Sequence, residues 1–218
     1  MASRGKSAEP RRLVPRLYLV TPQKLDELAK QLAQALDVTD IAAVLLRMPD
    51  LDERGRINHT KSLVPVVQAA GAALLIDGAV EIAARAGADG AHLTGIAALE
   101  AALPTLKPNR IAGCGGLHTR HDAMVAGERG ADYVMFGEPD ARGHRPAFDA
   151  IAERVAWWAH LFEVPCVAFA GEFAEIEPLA AAGADFVAIG EWIFGDARGC
   201  AAAIADAARR LPLPEPVT

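Results

Sequence analysis

The segment ARAGADGAHL, residues 84–93, contains the pattern that decides the fold: an alanine-rich stretch, the tripeptide Gly-Ala-Asp and a short apolar run. The pattern returns as GERGADYVMFG at residues 127–137 and as AAAGADFVAIG at residues 180–190. Glycine readily adopts the left-handed conformation that ends a helix, and aspartate is a common turn residue. The apolar run that follows predicts a buried strand. Three junctions of one kind therefore predict a repeated β-α unit.

Apolar runs and amphipathic stretches alternate along the rest of the chain. The runs are continuously apolar, which is typical of parallel strands that helices cover on both faces. The predicted strands are residues 16–21, 41–47, 72–77, 90–93, 110–114, 132–137, 165–171 and 186–190. The predicted helices are residues 24–36, 59–70, 79–86, 97–103, 120–129, 148–162, 175–182 and about 192–210. Eight such units predict an α/β fold, a single (β/α)8 TIM barrel with an eight-stranded parallel sheet.

The alternative architecture is an open, doubly wound sheet, but no Gly-x-Gly-x-x-Gly fingerprint follows the first strand. No linker-like segment divides the 218 residues. We therefore expect one barrel domain at residues 16–210, a flexible N-terminal tail at 1–15 and a C-terminal tail at 211–218.

Composition narrows the class of protein. The formal net charge is −6 and no long basic block offsets it, which argues against nucleic-acid and anionic-membrane binding. The basic start of the chain is followed by no apolar segment of signal-peptide length, and no stretch is long and apolar enough to span a bilayer. Three cysteines far apart, without metal-type spacing, indicate a reduced, cytoplasmic protein.

In a barrel of this kind, chemistry takes place in the loops at the carboxyl ends of the strands. The loops after strands seven and eight often bind phosphate through backbone N–H groups, and Gly171 and Gly190 would permit that approach. The other strand ends and loops that can carry chemistry are Arg47, Asp77, residues 92–94, residues 113–119 and residues 137–138.

Seven segments, in order, resemble the thiamine-phosphate synthases and the related thiazole tautomerases. They are YLVT (18–21), VLLR (44–47), GADGAHL (87–93), GLHT (116–119), GADYVMFG (130–137), PCVAFAG (165–171) and GADFVAIG (183–190). The resemblance covers most of the chain and implies a (β/α)8 barrel. It also implies a synthase reaction, in which Mg²⁺ helps diphosphate to leave a hydroxymethylpyrimidine and a thiazole phosphate captures the resulting carbocation.

The resemblance implies roles for individual residues. It assigns Arg47 and His118 to catalysis, and Asp77 to the metal. It assigns substrate or phosphate binding to Thr119, Gly137, Gly171 and Gly190. For a tautomerase it implies that His118 is the acid/base group and that no metal is needed, because an imidazole can move a proton near pH 7.

The chain departs from the family pattern on the same rim. Leu45 stands in place of a glutamine, Pro49 of a lysine and Gly116 of a serine. The Asn-Asp pair of the metal site aligns with Asp77-Gly78, and a second carboxylate segment has become residues 94–97. The Thr-x-Thr-Lys segment, a source of phosphate ligands, is replaced by residues 138–142.

Two glutamates, Glu172 and Glu191, replace small or apolar residues at the expected phosphate site. A carboxylate there competes with phosphate, because two unit charges about 4 Å apart repel by roughly 4 kcal/mol at an effective dielectric constant near 20. Arg142, Arg145 or a metal could neutralise that repulsion. We therefore expect a diverged site.

Three functions follow as hypotheses: a thiamine-phosphate synthase with impaired ligands, a thiazole-phosphate tautomerase, and a non-catalytic barrel. In the last, an acidic mouth made of Asp77, Glu138, Glu172 and Glu191 would bind a cation or a pyrimidine. A small molecule of the thiamine pathway is the expected partner in the first two, and a homodimer is the expected assembly.

Several of these residues also have a purely structural interpretation. Arg47 could pair with a neighbouring carboxylate, and His92 fits a packed, hydrogen-bonded position in the core. Trp157 and Trp158 fit packing positions on the sixth helix, and Cys114 is the cysteine nearest the His118 loop.

Overall fold

The computed structural model describes residues 14–23 and 27–212. Eight parallel strands follow one another around a closed barrel, and the last pairs with the first. The strands are β1 (Arg16–Val20), β2 (Ile41–Leu46), β3 (Ala73–Asp77), β4 (Gly90–Thr94), β5 (Ile111–Gly115), β6 (Tyr133–Phe136), β7 (Cys166–Ala170) and β8 (Phe186–Ile189). The predicted (β/α)8 barrel is confirmed, and the open sheet is excluded.

Helices alternate with the strands as predicted. They are α1 (Leu28–Val38), α2 (Glu53–Ala69), α3 (Val80–Ala86), α4 (Ile96–Leu106), α5 (Arg120–Glu128), α6 (Phe148–Leu161), α7 (Phe173–Ala181), α8 (Glu191–Phe194) and α9 (Cys200–Arg209). None of the helices in the described part of the chain has the length and apolar character needed to cross a membrane.

Several helix boundaries differ from the prediction, most clearly those of α2, α4 and the last predicted helix. Helix α2 begins earlier than residue 59 because the Asp52 side chain caps it, accepting the Gly55 N–H at 2.7 Å. Helix α4 continues through Pro104, where we expected it to stop. The last predicted helix is divided into α8 and α9, with Gly195 and Gly199 in the interruption.

The chain ends lie largely outside the described residues. Of the two predicted tails, residues 1–13 and 213–218 are not described, and neither is the predicted start of the first helix at residues 24–26. Leu211, at the start of the predicted C-terminal tail, packs against the main hydrophobic cluster.

The three Gly-Ala-Asp junctions fasten neighbouring strands together. Each glycine has a positive φ, at 82° for Gly87, 99° for Gly130 and 104° for Gly183. Each aspartate then pairs with one residue of the preceding strand. The backbone N–H of Asp132 donates to the Ala112 carbonyl at 2.8 Å, and its carboxylate accepts the Ala112 N–H at 2.7 Å. Besides occupying a turn, these aspartates therefore join neighbouring strands through hydrogen bonds.

The other two junctions repeat this double contact. Asp89 makes it with Leu74, and Asp185 makes it with Cys166. All three lie at the amino ends of the strands, so the repeated motif stabilises the face of the barrel opposite the expected site.

A column of polar side chains lies in the largely apolar interior of the barrel. The chain's two tyrosines, Tyr18 and Tyr133, are both buried there, and their hydroxyl groups are 2.8 Å apart. Strand β5 makes room for the column, because a Cβ at Gly113 would collide with the Tyr133 ring.

Candidate active site

A large cavity opens at the carboxyl ends of the strands, where the sequence predicted the chemistry. Its volume is about 880 Å³, and we call it the mouth cavity. Among the predicted site residues, Arg47, Asp77, His118 and Gly137 line it. Glu138, Glu191, Arg145, Arg154 and His144 line it as well.

Arg47 is held between two carboxylates. Its guanidinium donates to Glu191 at 2.8 Å and lies 3.9 Å from the Asp77 carboxylate. A quarter of the Arg47 side chain is exposed, so its charge remains accessible from the mouth cavity. Arg47 is therefore paired with a neighbouring carboxylate, as its structural interpretation proposed. The partner is Glu191, which we had expected to repel phosphate.

The loop after β5 presents His118 to solvent within the mouth cavity. Arg154 on α6 fixes this loop, because its guanidinium donates to the Leu117 carbonyl at 2.8 Å and to the His118 carbonyl at 3.0 Å. Thr119 caps α5: its hydroxyl accepts the Asp122 N–H at 3.0 Å. The histidine is thus held in place through its backbone, while the Thr119 hydroxyl has a structural use.

The rim after β7 already contains an anion, supplied by the chain. The Glu175 carboxylate accepts the Gly171 N–H at 2.6 Å and two hydrogen bonds from one nitrogen of Arg145, at 2.8 and 3.0 Å. The same guanidinium donates to the carbonyls of Gly137 and Phe169. A backbone N–H at the start of α7 and a guanidinium are the groups that would grip a phosphate.

The sequence interpretation missed Glu175. Glu172, which we expected to fill this position, is exposed and makes no capping hydrogen bond. A glutamate in the first turn of a helix, four residues after the glycine, was the available signal. Arg145, named among the groups that could neutralise the rim, does so for Glu175. Gly190, the other predicted phosphate residue, lies against the Phe169 ring.

A polar column runs down from the mouth cavity. The Tyr133 hydroxyl lies 2.9 Å from His92 Nδ1, and His92 Nε2 lies 3.9 Å from Glu138 Oε1. Burial raises the pKa of Tyr133 and of Tyr18 well above the usual phenol value, so both remain neutral donors. His92 is 4% exposed, which confirms the packed, hydrogen-bonded position expected for it.

The cysteines and tryptophans belong to the core. All three cysteines are buried and none is in a disulfide, and burial raises the pKa of Cys114 to about 12, so its thiol is unreactive near neutral pH. The Trp158 indole N–H donates to the Val164 carbonyl at 2.7 Å, and its ring stacks on Phe162. Both tryptophans act in packing, as expected.

The described side chains do not form a metal site by themselves. No group of three or more histidine, cysteine, aspartate or glutamate side chains in residues 14–23 and 27–212 is arranged to hold an ion. Asp77, the predicted ligand, faces Arg47 instead of a second carboxylate. Asp77 thus offers one carboxylate on this rim, and a magnesium ion held there would take its other ligands from substrate oxygens and water.

Comparison with known proteins gives a consistent result. The family model described as thiamine monophosphate synthase matches residues 17–193. A thiamine-phosphate synthase of Rhodospirillum centenum is 39% identical over 201 residues, covering 88% of this chain and 95% of that protein. One of Hyphomonas neptunium is 34% identical over 208 residues, covering 91% and 94%.

A solved structure shares the fold. The thiamine phosphate pyrophosphorylase from Pyrococcus furiosus superimposes with a TM-score of 0.76 at 20% sequence identity, covering 89% of this chain and 94% of that one.

Proposed function

This chain belongs to the thiamine monophosphate synthase family, and from that membership we propose that it joins a hydroxymethylpyrimidine diphosphate to a thiazole phosphate, releasing pyrophosphate. It is a transferase of thiamine biosynthesis. The observation that carries the proposal is the family match over residues 17–193, which runs from β1 into α8. Its substrates are small molecules of that pathway.

The geometry of the mouth cavity supports roles for two side chains. When the carbon–oxygen bond to diphosphate breaks, its electron pair leaves with the diphosphate, and the thiazole nitrogen supplies the pair for the new carbon–nitrogen bond. Arg47, a partly exposed cation at the end of β2, is the group we assign to stabilising the departing charge. His118, exposed on a loop fixed by Arg154, is assigned to proton transfer to the leaving group.

For the phosphate groups we retain the predicted set: Thr119, Gly137, Gly171 and Gly190. The Gly171 amide becomes available only when Glu175 releases it. Magnesium is used generally in the family. Asp77 is the protein ligand we propose, and substrate oxygens would have to complete the coordination shell.

The reaction can be tested directly. Pure protein incubated with both substrates and Mg²⁺ is expected to form thiamine phosphate, measured by fluorescence after oxidation to thiochrome. His118→Ala should lower kcat by about 100-fold or more, the usual contribution of a general acid. Absence of product from folded protein would refute the synthase assignment.

A second candidate is thiazole-phosphate tautomerisation with His118 as the acid/base group. The observation that favours it is the exposed imidazole of His118 in the mouth cavity, because an acid/base step at that group needs no metal. Isomerisation of the thiazole phosphate in the presence of EDTA, followed by NMR in deuterated water, tests it. Unchanged activity in His118→Ala would remove that residue from the mechanism.

Two further properties are proposed from the sequence. The assembly is expected to be a homodimer, which light scattering measures. Three buried cysteines, far apart in the sequence and not in disulfides, support a reducing, cytoplasmic location.

A further inference from the structure

A second, smaller cavity adjoins the mouth cavity and reaches the inner layer of the barrel. Its volume is about 60 Å³, and we call it the inner cavity. Leu45, Met135 and Phe169 contribute apolar walls. The polar groups of its lining come from Arg47, Asp77, His92, Thr94 and Glu138. The volume admits the edge of a ring, while the remainder of a ligand would lie in the mouth cavity. The two cavities share Arg47, Asp77, Thr94, Met135, Glu138 and Pro139.

Glu138 brings an unsatisfied acceptor to this cavity. Its Oε1 accepts the N–H of Gly116, whereas Oε2 is buried and has no hydrogen-bond partner among the described residues. The side chain is only 16% exposed. A buried carboxylate oxygen without a donor is destabilising and uncommon, so a donor from a ligand would be favourable there.

The surroundings fix the position of Glu138. A Cβ on Gly115 would collide with Glu138 Oε1 and with His92 Nε2, so glycine at the end of β5 is what lets both side chains lie there. His92 is in turn hydrogen-bonded to Tyr133, whose hydroxyl contacts Tyr18. The acceptor is therefore held in place before any ligand arrives, which reduces the entropy lost on binding.

We propose that Glu138 determines ligand specificity by accepting an N–H from a flat nitrogen heterocycle with an amino group on its edge. The apolar walls contact the ring faces, and Oε2 accepts from the amino group. An anionic group is disfavoured beside the carboxylate, so a diphosphate on the same ligand lies outward in the mouth cavity. The inference rests on the proposed function, because the pyrimidine half of the donor substrate belongs to this chemical class.

Two unphosphorylated probes test the proposal by calorimetry on the whole chain. They are 4-amino-5-hydroxymethyl-2-methylpyrimidine and the same compound without its amino group. The wild type should bind the amino compound about 10- to 100-fold more tightly, the range expected for a hydrogen bond to a charged acceptor. In Glu138→Met the ratio should fall to about 1.

Two further variants complete the experiment. Glu138→Gln should show an intermediate ratio, because one amide oxygen must serve both Gly116 and the ligand. Glu163→Gln, an exposed glutamate in the turn before β7, should keep the wild-type ratio. General damage to the site weakens both probes equally and leaves the ratio unchanged.

The proposal is overturned if folded Glu138→Met keeps the wild-type ratio. If that variant does not fold, an unchanged ratio in Glu138→Gln overturns it. Because the probes lack diphosphate and no turnover is measured, the result is separate from the synthase assay. If the wild type makes no thiamine phosphate, and Glu138→Met no longer prefers the amino probe, the inference is supported and the proposed function is refuted.

Discussion

Replacing Glu175 with glutamine should destabilise the barrel and, at the same time, create an affinity for phosphate. Glu175 and Arg145 are mostly buried, at 13% and 22% exposure of their side chains. Removing one partner of a fully buried pair costs about 3–5 kcal/mol. The amide keeps one acceptor and both groups contact some water, so we expect about 2 kcal/mol of lost stability, or a Tm lower by about 4–8 °C.

The second half of the prediction follows from the cation left behind. Without Glu175, the Arg145 guanidinium and the Gly171 N–H form an anion site that has no internal anion. If inorganic phosphate binds that site with a Kd of about 0.1 mM, a concentration of about 10 mM returns roughly 2.7 kcal/mol of stability. Wild-type protein should respond far less, because phosphate must first displace the carboxylate.

Thermal denaturation with and without phosphate measures both effects. Glu177→Gln is the matched control, since Glu177 lies on the same helix and is exposed. The KM for thiazole phosphate should also fall in Glu175→Gln, by about tenfold or more, because the competing carboxylate is gone. The reasoning fails if Glu175→Gln is as stable as Glu177→Gln and gains no more from phosphate than the wild type does.

Three further outcomes are expected. Asp132→Ala should lower the free energy of unfolding, measured in urea, by about 1–3 kcal/mol, because it leaves the Ala112 N–H without its 2.7 Å acceptor. A free energy of unfolding equal to that of the wild type would contradict the role of Asp132 in holding the two strands together. Cys114, whose pKa burial raises to about 12, should react with iodoacetamide at pH 8 only after unfolding; rapid labelling of folded protein would contradict this. Hydrogen bonds from Arg198 lower the pKa of Asp196 to about 2. The stabilisation of the folded state by this carboxylate is therefore present above about pH 4 and is lost as the pH falls towards 2. Asp196→Asn should flatten the pH dependence of Tm between these pH values, and an unchanged pH profile would contradict the expectation.

The fold was predictable because its signals are local. A glycine with positive φ, an aspartate and an apolar run occupy neighbouring positions, so the junction around Gly130 can be recognised without knowing what lies beside it. What the sequence did not show is the partner of each aspartate. Asp132, directly before β6, contacts Ala112 in the neighbouring strand β5, and this contact forms only when the two strands pair.

The sequence predicted where the candidate site lies, but not which of its side chains contact one another. Strand ends located Arg47, Asp77 and His118, because parallel strands bring their carboxyl ends to one rim. The ion pair of Arg145 with Glu175 joins the loop before α6 to the first turn of α7, 30 residues further on, and neither residue is part of a family motif. Comparison with the family pattern pointed to Glu172, which directly follows Gly171, but the first turn of α7 brings Glu175 back onto that amide.

The two glutamates that matter most illustrate one physical rule. Each takes a backbone N–H on the rim, Glu138 from Gly116 and Glu175 from Gly171. Both oxygens of Glu175 are paired with Arg145, so this carboxylate keeps other anions from the site. One oxygen of Glu138 has no hydrogen-bond partner among the described residues, so a hydrogen-bond donor of a ligand would bind favourably there. The same side chain thus has opposite consequences for a ligand, and the number of hydrogen bonds left unmade decides which one applies.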